Sequence, residues 1–232
     1  MIEGVSSELP IRTAVKPKDS SPTRVNADIC VVGSGIAGTS AALEAARLGR
    51  KVLLVDGQPA LGGQAVNSII GSICGLFSNA PSRRQLTHGI ADDIIRDLGA
   101  AGMAHLVDGP MTTTVYYDEV ALGRWVEKQV RAAGIQVVLG AVLREAKLEN
   151  RRITELSLAT RYGDVSITAT GFVDASGDAA LTWLAGLPCR LPDVPIYGTQ
   201  VVVLENLDET HKPTPEDYSR RLREKAREYG LI

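Results

Sequence analysis

The chain lacks a dominant sign of charge, a cysteine pair and a long apolar run, and each absence removes a class of function. Its 25 basic and 27 acidic residues leave a formal charge of −2. No long-range pull toward nucleic acid or anionic lipid is expected from that balance. Cys30, Cys74 and Cys189 are odd in number and far apart, which argues against a disulfide framework and against a metal-binding pair. No stretch is long and apolar enough to cross a bilayer. The opening MIEGVSSELPIRTAVKPKDSSPTR has no apolar core of the secretory kind, so a cytoplasmic protein is expected. No Ser-His-Asp arrangement and no metal-ligand constellation stands out, so no metal is expected and the catalytic residues stay unassigned.

What remains is a globular composition, 44% hydrophobic and 22% charged over 232 residues. A chain of that length can remove roughly 70% of its unfolded surface from water. Residues 1–24 mix Pro, Ser, Lys and Thr without apolar periodicity and read as a flexible arm, with wrapping of a partner subunit as the alternative. Residues 29–32 form a short β-rich run suited to a buried parallel strand. A helix follows over 36–48 with a small-residue face of Ala41, Ala42, Ala45 and Ala46, stopped by Gly49. Residues 51–55 complete a strand–helix–strand unit.

A second helix is predicted over 82–98. Ser82 and Gln85 have capping-box spacing, and Leu86, Ile90 and Ile94 supply the buried stripe. A third, over 118–133, should bury Leu122, Trp125, Val126 and Val130. Residues 136–143, 153–160 and 164–169 then read as an antiparallel meander, and 172–175 as a returning buried strand. Beyond Pro188 one strand (199–204) and a basic amphipathic helix (215–229) are expected. His88 is placed on the second helix facing solvent, and His105 and His211 in loops.

The strongest local motif is Val31-Val32-Gly33-Ser34-Gly35-Ile36-Ala37-Gly38. It sits between a strand and a helix, where its glycines serve a tight turn, close approach of a pyrophosphate and close helix packing. The helix start adds free N–H groups and the positive dipole end. Asp56, followed by Gly57, closes the second strand, where a carboxylate can accept hydrogen bonds from both hydroxyls of a ribose. Two further segments favour FAD over NAD. Leu61-Gly62-Gly63-Gln64 lets the main chain run against the flavin side of a dinucleotide. Val173-Asp174-Ala175-Ser176-Gly177-Asp178 can bring N–H groups to the pyrophosphate and a carboxylate to the ribityl hydroxyls. Asp178 could equally cap the short helix that follows it.

Across residues 27–204 these ordered motifs resemble the FAD-dependent oxidoreductases of the glutathione-reductase-like superfamily. The resemblance implies an α/β fold, a Rossmann-like FAD-binding domain (25–190) with a parallel sheet and an antiparallel β-meander. The start of a smaller substrate domain or subunit-contact region (191–232) would follow. It implies FAD contacts at Gly33, Gly35, Ile36, Ala37, Gly38, Asp56, Gly57, Gly62, Gly63, Gln64, Ala175, Ser176, Gly177 and Asp178, with a main-chain contact to adenine near Leu143. Asn67, Ser68 and Cys74 could line the flavin face, Cys74 as a packed residue. Disulfide reductases of this superfamily carry a cysteine pair where Ala65 and Val66 stand, so dithiol chemistry is disfavoured. A later segment that closes over the flavin is expected in the family and is not seen after Leu204. A longer chain, another subunit, or homo- or hetero-oligomerisation would then complete the protein. The function expected is hydride or electron-pair transfer between flavin and a small organic substrate. The alternatives are a non-catalytic FAD-binding scaffold subunit and an NAD-binding domain without flavin.

Overall fold

The structure, a computed structural model, describes residues 21–79, 83–109, 111–194, 198 and 214–231. Ser82, His211, the strand expected over 199–204 and most of the expected arm lie outside the described residues. The chain divides into two units, residues 1–193 and 194–232. In the first, the elements run β1 (Thr23–Val32), α1 (Ile36–Arg47), β2 (Val52–Val55), α2 (Gln64–Asn67), β3 (Ser72–Ile73) and α3 (Ile90–Ala100). They continue with β4 (Ala104–Asp108), β5 (Thr113–Tyr117), α4 (Glu119–Ala132), β6 (Gln136–Val138) and β7 (Val142–Glu149). β8 (Arg152–Thr160), β9 (Gly163–Asp174) and α5 (Ala180–Leu184) complete the unit. The second unit contains α6 (Pro215–Glu228), whose first turn is capped by Thr214 Oγ1 accepting from Asp217 N at 3.1 Å.

One six-stranded sheet of order β6-β2-β1-β9-β8-β7 carries the first unit. The pairs β6/β2, β2/β1 and β1/β9 are parallel, and β9/β8 and β8/β7 antiparallel. The apolar runs in β1 and β2 are continuous because both sheet faces are covered. Val31 and Leu54 point to one face and pack with Leu43 of α1, Ile94 of α3 and Val126 of α4. Their alternates Cys30, Val32, Leu53 and Val55 join Leu156, Leu158 and Ile167 in a second core. Burial pushes the Cys30 thiol up to about 12, so it stays a protonated, inert packing group.

The parallel–antiparallel fold class is as expected, and several element boundaries are not. β1 begins at Thr23, inside the segment read as arm, because Thr23–Ala27 pair with Val165–Ala169 of β9. The strand expected over 136–143 is two elements: β6 pairs with β2, the chain turns at Gly140, and β7 starts the meander. The strands expected at 164–169 and 172–175 are one, β9, which pairs with β8 on one edge and β1 on the other. The meander therefore extends the main sheet. A small antiparallel sheet, β3-β5-β4, has no counterpart in the sequence reading. It carries His105, whose ring stacks on Tyr116 at 5.7 Å between centroids, so this histidine belongs to a strand and not a loop.

The second helix starts at Ile90 and not at 82. Gln85 is instead bridged to Phe77, its amide donates to Asp92 Oδ1 at 2.5 Å, and Leu86 is exposed. Asp92 takes over the capping by accepting from Gly89 N at 2.9 Å. His88 therefore precedes the helix and lies exposed, 3.3 Å from Asp92. In α1 the fully buried positions are Gly38, Thr39, Ala42 and Leu43, while Ala41, Ala45 and Ala46 are only partly covered.

α4 buries the four residues expected of it, Leu122, Trp125, Val126 and Val130, and begins where Asp118 accepts from Ala121 N at 2.7 Å. Trp125 Nε1 also donates to Asp97 Oδ2 on α3 at 2.8 Å. That bond, with a second from Arg96, holds the Asp97 carboxyl below the usual carboxylate range. A carboxylate depressed in the folded state adds stability above its unfolded value and loses it as pH falls through its folded one. Trp125→Phe keeps an aromatic ring in the core, at some loss of packing volume, and removes the donor. It should cost about 1–2 kcal/mol at neutral pH, and the difference from wild type should shrink as urea unfolding is followed into acid.

Candidate functional site

The register of the parallel strands brings the motif residues to one edge of the sheet. Val32 is level with Val55 of β2 and with Asp174 of β9, so the turns leaving all three strands meet at their carboxyl ends, the ligand side of open α/β sheets. Gly33 N donates to Val55 O and Ala175 N to Val32 O, both at 2.8 Å. Gly33 lies so close to the corner after β9 that a Cβ there would meet Ala175 O at 2.2 Å, and its φ of +100° is glycine territory. The glycine loop and the Ser-Gly-Asp corner are therefore in direct contact.

Between them opens a cleft of about 1000 Å³, at the upper end of the size range of ligand sites. It is lined by thirteen of the fifteen sequence-derived positions: Gly33, Gly35, Ile36, Ala37, Asp56, Gly57, Gly63, Gln64, Leu143, Ala175, Ser176, Gly177 and Asp178. Gly38 and Gly62 do not line it; both serve packing. A Cβ on Gly38 would stand 1.8 Å from Gly33 O, and one on Gly62 would stand 2.2 Å from Val66 Cγ2. The paired glycines thus run against the Ser34–Gly35 turn, joined by Gly62 N donating to Ser34 O at 2.8 Å. Asn67 and Ser68 line the cleft as expected. Cys74 does not: it is exposed, with Sγ 3.7 Å from Thr114 Oγ1.

The donors at the loop suit a diphosphate. α1 has Gly35 at its N-cap with no side-chain cap, and its first backbone bond is Thr39 N to Gly35 O at 2.8 Å. The N–H groups of Ile36 and Ala37 therefore have no helical acceptor, Ile36 following the Gly35–Gly62 bridge, and both residues line the cleft. A Cβ on Gly35 would meet nothing nearer than Gly63 Cα at 4.0 Å. The missing side chain leaves space on the cleft side without serving the packing. At the other end, the N–H groups of Gly177 and Asp178 have no acceptor among the described residues.

The acid at the end of β2 is already engaged within the protein. Asp56 Oδ2 accepts from Ser34 N at 2.6 Å and Ser34 Oγ at 2.7 Å, and Oδ1 accepts from Gln58 N at 2.7 Å. A carboxylate offers about four acceptor positions, so about one is open while these three donors hold it. Ser34, fully buried, escapes sequence reasoning as a site residue because its contact is set by the turn and not by spacing. Asp178 also departs from the capping alternative. Ser176 Oγ accepts from Ala180 N at 2.8 Å and Asp174 Oδ2 from Thr182 N at 2.8 Å, so two other residues cap α5 and the Asp178 side chain is left exposed on the cleft wall. Among the described residues no group of His, Cys, Asp and Glu could hold a metal ion, and no helix is long and apolar enough to cross a membrane.

Sheet order, glycine loop and cleft define a dinucleotide-binding protein of the Rossmann type. The chain belongs to the FAD dependent oxidoreductase family, whose model matches residues 28–230, and its cofactor is FAD. No curated protein sequence matches it. Among solved structures it is similar to a geranylgeranyl bacteriochlorophyll reductase-like protein from Thermoplasma acidophilum, at 20% identity and a TM-score of 0.50. That match covers 71% of this chain and 43% of the other. It is also similar to a flavin-dependent brominase, at 17% identity and a TM-score of 0.51 over 70% of this chain and 41% of that one. A p-nitrophenol 4-monooxygenase from Pseudomonas putida gives 12% identity and a TM-score of 0.50 over 71% and 44%. The chain spans less than half the length of each of these structures. At such identities they share the fold.

Proposed function

We propose that this chain is the FAD-holding part of an oxidoreductase that moves a hydride or electron pair between the flavin and a small organic substrate. The observation that carries the reading is the contact between Gly33 and the 175–176 corner, which puts both motifs on one cleft of about 1000 Å³. In this reading the N–H groups of Ile36 and Ala37 at the start of α1 would hold the diphosphate, helped by the dipole of α1. The open acceptor of Asp56 takes one ribose hydroxyl, and the main chain at Leu143 meets the adenine. With the diphosphate taken by the start of α1, the Gly177 and Asp178 N–H groups, which the sequence reading gave to the pyrophosphate, fall in this reading to the ribityl end together with the Asp178 carboxylate. Gln64, Asn67 and Ser68, which line the cleft, would face the flavin ring and limit water there.

Bound FAD supplies the redox chemistry, a reversible two-electron change at its ring; the protein orients and tunes it. The substrate reading rests on the near-neutral charge, which favours neither nucleic acid nor membrane partners. A cytoplasmic setting is supported by three free cysteines, Cys30, Cys74 and Cys189. Completion of the site by further chain or a partner subunit belongs to the same reading. Purified protein loaded with FAD and desalted should keep the visible flavin absorbance and bleach when an organic electron donor is added without air. A preparation that retains no FAD after loading and desalting contradicts the proposal.

A further inference from the structure

Asp174 ends β9 inside the corner motif, yet its carboxylate is fully used within the protein. Oδ1 accepts from Ser176 N at 3.1 Å and Ser176 Oγ at 2.6 Å. Oδ2 accepts from Thr182 N at 2.8 Å and Thr182 Oγ1 at 2.6 Å. These four donors match the acceptor positions a carboxylate has, so no capacity remains for a ligand. Burial pushes this carboxyl up, but the bonds from Ser176 and Thr182 outweigh it and hold it below the usual carboxylate range. It is an anion shared by two chain segments.

The consequence is geometric. Ser176 is pinned back toward the strand and Thr182 toward the same anion, so the chain between them must turn sharply. It does so through Gly177 at φ +84° and Ala179 at φ +55°. Residues with side chains seldom take that second conformation unless their surroundings impose it, and the clamp is what maintains it. What the turn projects into the cleft wall is Gly177 and Asp178, whose polar groups have no partner among the described residues.

We propose that Asp174 is the positioning residue of the flavin end of the cleft: through Ser176 and Thr182 it sets the 177–178 turn that meets the ribityl chain, while touching no ligand itself. This rests on the FAD reading above. The adenosine end has its own arrangement, Asp56 held by Ser34, so the two ends can be damaged separately.

The test uses the full chain with FAD, FMN and ADP as probes, the last two reporting on the two halves of the dinucleotide. Asp174→Asn offers one oxygen where two were needed and turns an amide N–H₂ toward existing donors. The variant should weaken FAD and FMN by about the same factor, tenfold or more, which corresponds to about 1.4 kcal/mol or more, and leave ADP unchanged. Asp56→Asn should do the reverse, weakening FAD and ADP and sparing FMN. Should Asp174→Asn not fold, Thr182→Val against Thr182→Ser carries the same comparison, with FMN affinity lost in the first and kept in the second. Unchanged FMN binding in Asp174→Asn, equal loss of FMN and ADP, or equal behaviour of the two Thr182 variants overturns the proposal while leaving the FAD reading intact. A wild-type chain that binds no FAD removes both.

Discussion

Gly35→Val should give a folded protein that no longer retains FAD. The backbone at Gly35 has φ −61° and ψ 179°, an ordinary extended conformation open to any residue. Among the described residues, chain neighbours aside, nothing lies closer than 4.0 Å to where its Cβ would stand. The new side chain therefore meets no wall of the fold and occupies the space in front of the Ile36 and Ala37 N–H groups. Hydrogen bonds to a charged partner contribute about 1.5–3 kcal/mol each. Losing two of them weakens FAD by about 3 kcal/mol or more, over a hundredfold. Equilibrium dialysis would measure the affinity and a thermal melt the fold. A variant with stoichiometric FAD and the wild-type melting temperature would show that the loop does not face the diphosphate.

Gly38→Ala should have the opposite profile, a damaged fold before any question of binding. Gly38 is buried on α1, and its Cβ would be 1.8 Å from Gly33 O, 2.9 Å from Gly33 C and 3.2 Å from Ala175 Cβ. The first two of those neighbours are backbone of the turn that joins β1 to α1, so the helix must lift from the loop to make room. Overpacking of a rigid site costs about 3 kcal/mol, the upper part of its usual range. For a chain of this size that shifts the melting temperature by about 6–12 °C. One methyl group three residues from Gly35 thus separates a packing glycine from a ligand glycine. A Gly38→Ala variant that melts like wild type would contradict the close seating of α1 on the loop.

What the sequence made legible was local. The run from Val32 to Gly38 carries its own strand, turn and helix signals, and the stripe Leu122, Trp125, Val126, Val130 carries the period of α4. Elements decided by distant partners were not legible. Residues 23–28 look polar and loose until β9, some 140 positions later, offers them a parallel edge. Ser82 and Gln85 match a capping pattern, but Gln85 reaches Asp92 through its side chain and the helix waits until Ile90.

The site follows the same division. The glycines and post-strand acids among the thirteen cleft positions were readable because those residue types have a mechanism attached to their spacing, while others, such as Leu143, came only with the family resemblance. Gly62 looks like a ligand position in the sequence, and Gly38, read there as a packing glycine, gained a ligand role from the resemblance, because a glycine that admits a backbone neighbour and one that admits a ligand are written alike. The structure distinguishes them by what a Cβ would strike. Ser34 and Asp174 were hidden because their importance lies in which donors a carboxylate collects, and that is fixed only when three strand ends converge.

The most direct test of the central claim, one FAD gripped from both ends of a single cleft, is a calorimetric titration of the wild-type chain with FAD, repeated in the presence of saturating ADP. One FAD per chain is expected, with its apparent affinity sharply reduced by ADP, because the diphosphate can occupy the start of α1 only once. An FAD isotherm that ADP leaves unchanged, or the absence of binding at all, would contradict it.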